Sequence, residues 1–315
     1  MPPFPKPRTS FDYDLGTELS ALREHKKLRA VPERCRNRLL LCTWNIANFG
    51  VQKRREKDHR LIAEILGWFD LVAVQEVADD LSGLFAVRDL LPESYRLLIS
   101  DTAGNDERSA FVYDANRVTL LELVGRLSIP PADLAHIKLK GVDETFRGFD
   151  RSPYLAAFQS GSFRFVLASV HLFFGSDDPE DMARRSLEAY AVARWADLRR
   201  KDKHAYASDI IALGDFNLPA VKPDDPIYRA LTRRGLVLPE HATEVGGSSL
   251  GGHHHYDQLA FFPGETKEFN ERIGPFDFDN ALFRDLWEPR RPAPFLAYTR
   301  YYVSDHRPLW AEFRV

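Results

Sequence analysis

LLLCTW, at Leu39–Trp44, is a short apolar run that ends directly before the polar residue Asn45. The same pattern recurs in LVAVQEV at Leu71–Val77 and in DIIALGDF at Asp209–Phe216. The length and β-branched content of these runs favour buried strands over helices. Six further strands are predicted at Tyr95–Ser100, Ser109–Tyr113, Tyr154–Gln159, Phe163–Leu172, Tyr256–Phe262 and Arg307–Val315.

Helical segments alternate with some of these strands. HRLIAEILGWF, at His59–Phe69, spaces its apolar residues on one helical face. Two other helices are predicted to begin at Asp–Pro pairs, at Asp178 and Asp225, since Asp caps a helix and Pro suits its first turn. Continuous apolar strands mixed with helices predict an α/β fold with two sheets covered by helices.

The sequence divides into two parts of different character. Residues 1–37 are polar, charged and proline-rich, and they are interpreted as an arm or a packing helix centred on Thr17–Arg29. Residues 38–315 contain all the strand patterns and are predicted to form one domain.

Composition excludes several protein classes. Hydrophobic residues make up 44% of the 315, which is too many for a disordered chain, and 43 basic against 46 acidic residues exclude a strongly basic, histone-like nucleic-acid binder. Two cysteines cannot form a disulfide framework. Because the N-terminal sequence lacks a signal-peptide pattern and no apolar run reaches membrane-spanning length, the expected protein is cytoplasmic and has no membrane anchor.

Polar residues of a few chemical types follow or precede these strands. Such residues project into a common crevice at the edge of an α/β sheet. The set comprises the carboxylates Glu76, Asp215, Asp257 and Asp305, the amides Asn45 and Asn217, and the imidazoles His171 and His306.

This set of side chains indicates a metal-assisted reaction on a phosphate ester. Clustered carboxylates repel each other, and a hard divalent cation such as Mg²⁺, Mn²⁺ or Ca²⁺ relieves that repulsion. Two histidines beside such a cation suit proton transfer near neutral pH. Hydrolysis of a phosphate ester needs both features, because it depends on positioning and charge neutralisation.

The motifs TWNIANFG, VQEV, ERSAFVY, DRSP, SVHL, GDFN, YDQL and SDHRP occur in an order that resembles the endonuclease/exonuclease/phosphatase superfamily. The resemblance covers about residues 39 to 315, and the branch it resembles most is the deoxyribonuclease I-like one, as a bacterial-type member. It implies a four-layer α/β/β/α sandwich and a magnesium- or manganese-dependent nuclease.

The resemblance also implies a metal site. Asn45 and Glu76 would hold Mg²⁺ or Mn²⁺, with Asp305 near it. One position departs from several branches of the family, which have an acidic residue where this chain has Ala47. The metal would therefore have one protein contact fewer than in those branches.

The catalytic residues implied by the resemblance form two pairs. His171 would be oriented by Glu107, and His306 would be paired with Asp257. A carboxylate on one ring nitrogen fixes the tautomer of a histidine and stabilises its charged form. Either histidine can serve as the base and the other as the acid.

Phosphate contacts are implied for three more residues. Asp215 and Asn217 would hold the scissile phosphate and the attacking water, with room for a second metal. Arg151 would contact a phosphate through its guanidinium fork. The basic run Lys53–Lys57 either contacts the phosphates of a long substrate or forms a solvated helix start.

Three functions follow from this sequence. The leading hypothesis is a DNA endonuclease, the first alternative is a phosphoesterase acting on a phospholipid or inositol phosphate, and the second is an inactive nucleic-acid-binding module. The run His253–His255 is interpreted as a solvated loop or as ligands of a transition metal. Phe173 and Phe174, just after His171, belong to the core or stack on a base or a lipid.

Overall fold

The computed structural model describes residues 3–241, 243–252, 254–287 and 292–315. Within these residues, the strands are β1 Arg38–Phe49, β2 Leu71–Ala78, β3 Tyr95–Ile99, β4 Glu107–Asp114, β5 Thr119–Arg126, β6 Tyr154–Ser160, β7 Phe163–His171, β8 Asp209–Asp215, β9 Asp257–Phe261, β10 Phe269–Pro275 and β11 Leu309–Arg314. They form one sheet of six in the order β10-β11-β1-β2-β4-β3 and one sheet of five in the order β5-β6-β7-β8-β9.

Helices cover both sheets. They are α1 Leu15–Leu28, α2 Glu56–Leu66, α3 Ser82–Leu90, α4 Pro131–Leu134, α5 Pro179–Lys201, α6 Pro226–Thr232, α7 Arg284–Trp287 and α8 Pro292–Tyr302. The predicted starts of two helices at Asp–Pro pairs are confirmed. The Asp178 side chain accepts a hydrogen bond from Asp181 N at the start of α5, and the Asp225 side chain accepts hydrogen bonds from Ile227 N and Tyr228 N at the start of α6.

The opening run of β1 explains the layering of the molecule. Leu39 and Leu41 face the core between the two sheets, while Leu40, Cys42 and Trp44 face the core outside the six-stranded sheet. Alternate residues of a strand point to opposite faces, so a strand covered on both faces is apolar throughout. A third core lies between the five-stranded sheet and α5 and α6. These cores separate the four layers of an α/β/β/α sandwich, and the predicted fold class is confirmed.

The predicted strands match within a few residues, but two strands were not predicted. They are β5 and β10, and each lies at the edge of its sheet. Polar residues interrupt the apolar pattern of both strands, because Glu122 in β5 and Asn270–Arg272 in β10 are exposed or half-exposed. The second helix also begins earlier than predicted, at Glu56 rather than His59.

The segment before β1 packs on the sandwich through α1. Leu22 is buried in the core outside the six-stranded sheet, and the carboxylate of Glu18 accepts a hydrogen bond from Phe283 N at 2.9 Å. Just before the helix, the Tyr13 hydroxyl donates to Asp58 at 2.8 Å. Among the described residues no helix combines the length and the apolar character needed to cross a membrane. Cys35 and Cys42 are both free thiols.

Candidate active site

The register of the five-stranded sheet puts three of the expected residues side by side. β7 and β8 are parallel and pair His171 with Asp215, and β8 and β9 are antiparallel and pair Asp215 with Asp257. Gly214 makes this row possible. Its φ is +134°, and a Cβ there would lie 2.1 Å from Val170 O. The Gly of GDFN is therefore required by the close approach of two strands.

The six-stranded sheet brings its residues to the same end of the sandwich through irregular pairing. β1 and β2 pair Asn45 with Gln75, and the register shifts immediately afterwards. A second shift between Val74 and Val77 leaves Glu76 outside the ladder with a φ of +57°. Such bulges re-aim a side chain, and a left-handed non-glycine residue is strained. Glu76 is held in this conformation by hydrogen bonds from the Asn45 side chain and from Asn48 N, both at 2.9 Å.

His306 and Asp257 form the first histidine–carboxylate pair. The distance from Nδ1 of His306 to Oδ2 of Asp257 is 2.7 Å, and both residues are buried. His306 N is bonded to the Ser304 hydroxyl, while the backbone oxygen of His306 accepts from the Trp44 indole. Burial lowers the pKa of His306, but the carboxylates of Asp257, Asp215 and Asp305 raise it by more than burial lowers it. The pKa of His306 therefore lies well above its usual value.

His171 and Glu107 form the second pair. The distance from Nδ1 of His171 to Oε2 of Glu107 is 2.9 Å, and the same carboxylate oxygen lies 3.8 Å from Nε of Arg151. Burial raises the pKa of Glu107, yet its contact with His171 and the charge of Arg151 hold the pKa below its usual value. Glu107 therefore contacts both the His171 imidazole and the Arg151 guanidinium.

Each pair joins the two sheets, and both pairs meet at Asp215. Glu107 belongs to the six-stranded sheet and His171 to the five-stranded sheet, while Asp257 belongs to the five-stranded sheet and His306 precedes β11 of the other. Oδ2 of Asp215 lies 3.7 Å from Nε2 of His171 and 3.9 Å from Nε2 of His306. It also accepts a hydrogen bond from Asn45 at 3.1 Å.

Asn217 and Arg151 fix the backbone that follows β7. Asn217 Nδ2 donates to Leu172 O at 2.7 Å, and Arg151 donates from Nε to His171 O and from Nη2 to Leu172 O. Asn217 N also donates to Asp215 Oδ1 at 2.8 Å. Two nitrogens of Arg151 thus bind the carbonyl oxygens of His171 and Leu172. The implied contact of Arg151 with a phosphate stays a prediction.

Several acidic side chains surround the end of the site that contains Glu76 and Asp305. Burial raises the pKa of Asp305, which the neighbouring Glu76 and Asp215 raise further and His306 lowers. A cavity of about 390 Å³ opens beside Glu76 and Glu107, and its wall also carries Asp79, Asp80 and Asp106. This end of the site is therefore strongly negative.

A second geometry for a cation competes with the predicted one. One ligand atom each of Asp215, Asp257 and His306 lies within 4.8 Å of the others. However, a cation there would either displace Asp257 from Nδ1 of His306 or occupy Nε2, the nitrogen left for proton transfer. The set Asn45, Glu76 and Asp305 leaves both histidine–carboxylate pairs intact.

Sequence reasoning missed two buried residues that position the site. Glu188 on α5 is fully buried and accepts from Asp150 N at 3.0 Å and from Phe173 N at 2.9 Å, so it ties together the segments before Arg151 and after His171. Ser304 bonds Asn45 O at 2.7 Å and Ala47 N at 3.2 Å. The only sequence signal for Glu188 is a charge within the apolar run LEAYAV.

Three residues of the basic run at Lys53–Lys57, namely Arg54, Arg55 and Lys57, bind other parts of the chain. Arg54 is buried and donates to Ala47 O at 2.7 Å and to Val303 O at 3.0 Å. Arg55 binds Asp58, and Lys57 binds Asp12. These contacts anchor the chain around Asn45 and the start of α2.

The histidine run lies beside the site. His253 is outside the described residues. The ring of His254 stacks on Tyr256, and the ring of His255 lies 5.7 Å from that of His241. Burial and the neighbouring His255 lower the pKa of His241 to about 4.

Comparisons with known proteins agree with this fold. The chain is 31% identical over 285 residues to a deoxyribonuclease of Thioalkalivibrio sp. (strain K90mix), across 87% of this chain and 71% of that protein. A search of family models finds no match. An endonuclease/exonuclease/phosphatase family protein from Bacteroides thetaiotaomicron superimposes with a TM-score of 0.56 at 19% identity, covering 87% of this chain and 94% of that one.

A mannosyl-6-phosphatase of Bacteroides thetaiotaomicron VPI-5482 has the same fold, with a TM-score of 0.56 at 18% identity over 87% of this chain and 98% of that one. Together with the deoxyribonuclease similarity, these matches define a class of hydrolytic phosphoesterase. The chain belongs to the endonuclease/exonuclease/phosphatase family, with a deoxyribonuclease I-like fold.

Proposed function

We propose that this protein is a divalent-metal-dependent phosphodiesterase that cleaves nucleic acid, and specifically a DNA endonuclease. The observation that carries the proposal is the convergence of two histidine–carboxylate pairs on Asp215, with Nε2 of His171 at 3.7 Å and Nε2 of His306 at 3.9 Å from the same oxygen. The similarity to a deoxyribonuclease supports DNA as the substrate.

Asn45, Glu76 and Asp305 are the residues that would hold the cation, Mg²⁺ or Mn²⁺. They fit it because their donors are oxygens and because Asn45 Oδ1 is buried without a hydrogen-bond partner in the described part of the chain. Its amide nitrogen is occupied by Glu76 and Asp215, so the amide oxygen is left to a ligand. When bound, the cation supplies Lewis-acid stabilisation of charge on a non-bridging phosphate oxygen.

The histidines transfer the protons of the reaction. One imidazole accepts a proton from water as the water oxygen bonds to phosphorus. The P–O bond to the leaving oxygen breaks, and the other imidazole gives that oxygen a proton. Each histidine has its Nδ1 on a carboxylate, which keeps Nε2 directed toward Asp215 and the reacting atoms.

A small phosphate ester is the second candidate substrate, because the fold is shared with a sugar-6-phosphatase. The deciding experiment incubates the purified protein with supercoiled plasmid, a phospholipid such as sphingomyelin, and sugar or inositol phosphates. We expect nicking of plasmid in Mg²⁺ or Mn²⁺ and none in EDTA, with a turnover of the small esters at least tenfold slower. Binding of DNA with no cleavage in any divalent metal contradicts the proposal.

Glu76→Gln tests the metal site. Loss of one ligand charge weakens binding of a hard cation, so we expect the half-saturating Mg²⁺ concentration for cleavage to rise about tenfold or more. Asp79→Asn is the matched control, because Asp79 lines the same negative cavity but pairs with Arg108. Equal shifts in both variants would assign the effect to the general charge of the cavity instead of to Glu76.

A further inference from the structure

Three aromatic rings form a row beside the catalytic residues, and we call Phe174, Tyr256 and His254 the aromatic platform. The rings of His254 and Tyr256 are stacked, with centroids 4.9 Å apart and an angle of 12°. Phe174 meets Tyr256 edge to face at 6.3 Å. Tyr256 in turn lies 6.0 Å from the ring of His306. The platform therefore begins one ring away from a catalytic imidazole.

The platform presents aromatic surface to solvent. Phe174 is 48% exposed, which overturns its assignment to the core, and His254 is exposed while Tyr256 is half-buried. A large exposed aromatic ring next to a polar site is informative, because most exposed apolar surface is scattered.

Hydrogen bonds from buried residues hold the backbone that carries the platform. On one side of Phe174, the buried Glu188 accepts from Phe173 N. On the other side, the buried Arg185 donates to Ser176 O at 2.7 Å. Tyr256 is fixed through its own carbonyl, which accepts from Phe216 N at 2.8 Å. A preorganised surface loses little conformational entropy when a flat ligand stacks on it.

We propose that the aromatic platform binds a nucleobase next to the scissile phosphate, an inference that rests on the proposed nuclease function. Aromatic side chains stack on any base, because every base has a π-face. A membrane surface fits less well, since Phe174 is the only exposed apolar side chain of the three rings, while Tyr256 and His254 carry polar groups. The platform would therefore add affinity for nucleic acid without base specificity.

The test compares a defined oligonucleotide, in the strand form that the wild-type protein cleaves, with versions that lack the base on either side of one mapped scissile linkage. For the wild-type protein, removal of the stacked base should lower kcat/KM by roughly 5- to 150-fold. Phe174→Leu and Tyr256→Leu should lower kcat/KM on the intact oligonucleotide. They should also abolish the difference in kcat/KM between the intact oligonucleotide and the version that lacks the stacked base. Tyr256→Phe, which keeps the ring, should keep the response to base removal.

Phe85→Leu is the matched control, because Phe85 is 40% exposed but lies on α3 and lines a separate cavity beside β3. It should retain the wild-type response to base removal. If the wild type cleaves DNA equally well with and without either base, the platform is overturned while the nuclease function stands. If leucine variants lose activity equally on both substrates and keep the base effect, the platform is also overturned. If no nucleic acid is cleaved at all, the proposed function fails, and the platform with it.

Discussion

Two histidine–aspartate pairs with the same nitrogen–oxygen distance lie in different parts of the molecule. His306 and Asp257 are 2.7 Å apart in the site, and His25 and Asp277 are 2.7 Å apart where α1 meets the turn after β10. Both pairs are buried. A short contact between a histidine and an aspartate is therefore not enough to identify a catalytic group.

The surroundings of the two pairs differ. The second ring nitrogen of His306 lies 3.9 Å from Asp215, whereas no second carboxylate is within ion-pair distance of His25 in the part of the chain described here. Asp277 is further bonded by Arg29, at 2.8 Å, and by Asn280. The ring of His25 packs on Phe276. The His25 pair is thus surrounded by neighbours that hold the fold together, whereas the second ring nitrogen of His306 faces the carboxylate of Asp215.

The largest expected effect separates these two histidines directly. His306→Ala and His171→Ala should each lower kcat by roughly 10²–10⁴-fold, the range for loss of a general acid or base. His25→Ala should leave kcat unchanged and lower the free energy of unfolding by about 1–3 kcal/mol, because Asp277 loses a buried partner. Cleavage rates and urea denaturation of the three variants measure both quantities. Full activity in either His306→Ala or His171→Ala would refute the assignment of the site.

The carboxylates of the two histidine–carboxylate pairs at the site should differ in a second, smaller effect on kcat. Asp257→Asn should lower kcat by roughly 10²–10⁴-fold, since an amide at this place favours the wrong tautomer of His306. Glu107→Gln should cost about tenfold, because Arg151 also holds the backbone of His171 through its carbonyl. Steady-state rates at saturating Mg²⁺ decide the order. Equal losses in the two variants would mean that Arg151 does not share the work of Glu107.

The polar residues at the strand ends can be predicted from the sequence because each follows a local run of apolar residues. Asn45, Glu76, His171 and Asp215 each follow an apolar run, and the register of β7 and β8 then brings the last two together. Glu107 was found only through the family resemblance, since nothing in the residues of β4 marks it as the partner of His171.

Glu188 and Ser304 could not be predicted, and the reason is physical. Both act by accepting or donating hydrogen bonds at backbone atoms that are distant in sequence, such as Phe173 N for Glu188 and Asn45 O for Ser304. Almost every residue type supplies a backbone amide and a carbonyl, so the identity of the residue that Glu188 or Ser304 binds cannot be predicted from its side chain. The strands β5 and β10 are not predicted because exposed polar residues interrupt their apolar pattern.

The smallest effect on activity, and a clear effect on stability, is expected from Asp277→Asn. Burial raises the pKa of Asp277, but hydrogen bonds from His25, Arg29 and Asn280 outweigh it and hold the pKa well below its usual value. A carboxyl group with a depressed folded-state pKa stabilises the fold above its unfolded pKa of about 4, and this contribution is lost as the pH falls toward the folded value.

Asp277→Asn should therefore unfold more readily than the wild type at pH 7, by about 1–3 kcal/mol, and the two proteins should converge as the pH falls below about 4. Its cleavage rate at pH 7 should equal that of the wild type, in contrast to Asp257→Asn. Urea denaturation across this pH range measures the difference. A stability gap that stays constant down to pH 2 would show that the asparagine acts through packing, and that ionisation of Asp277 contributes nothing to the contact between α1 and the sandwich.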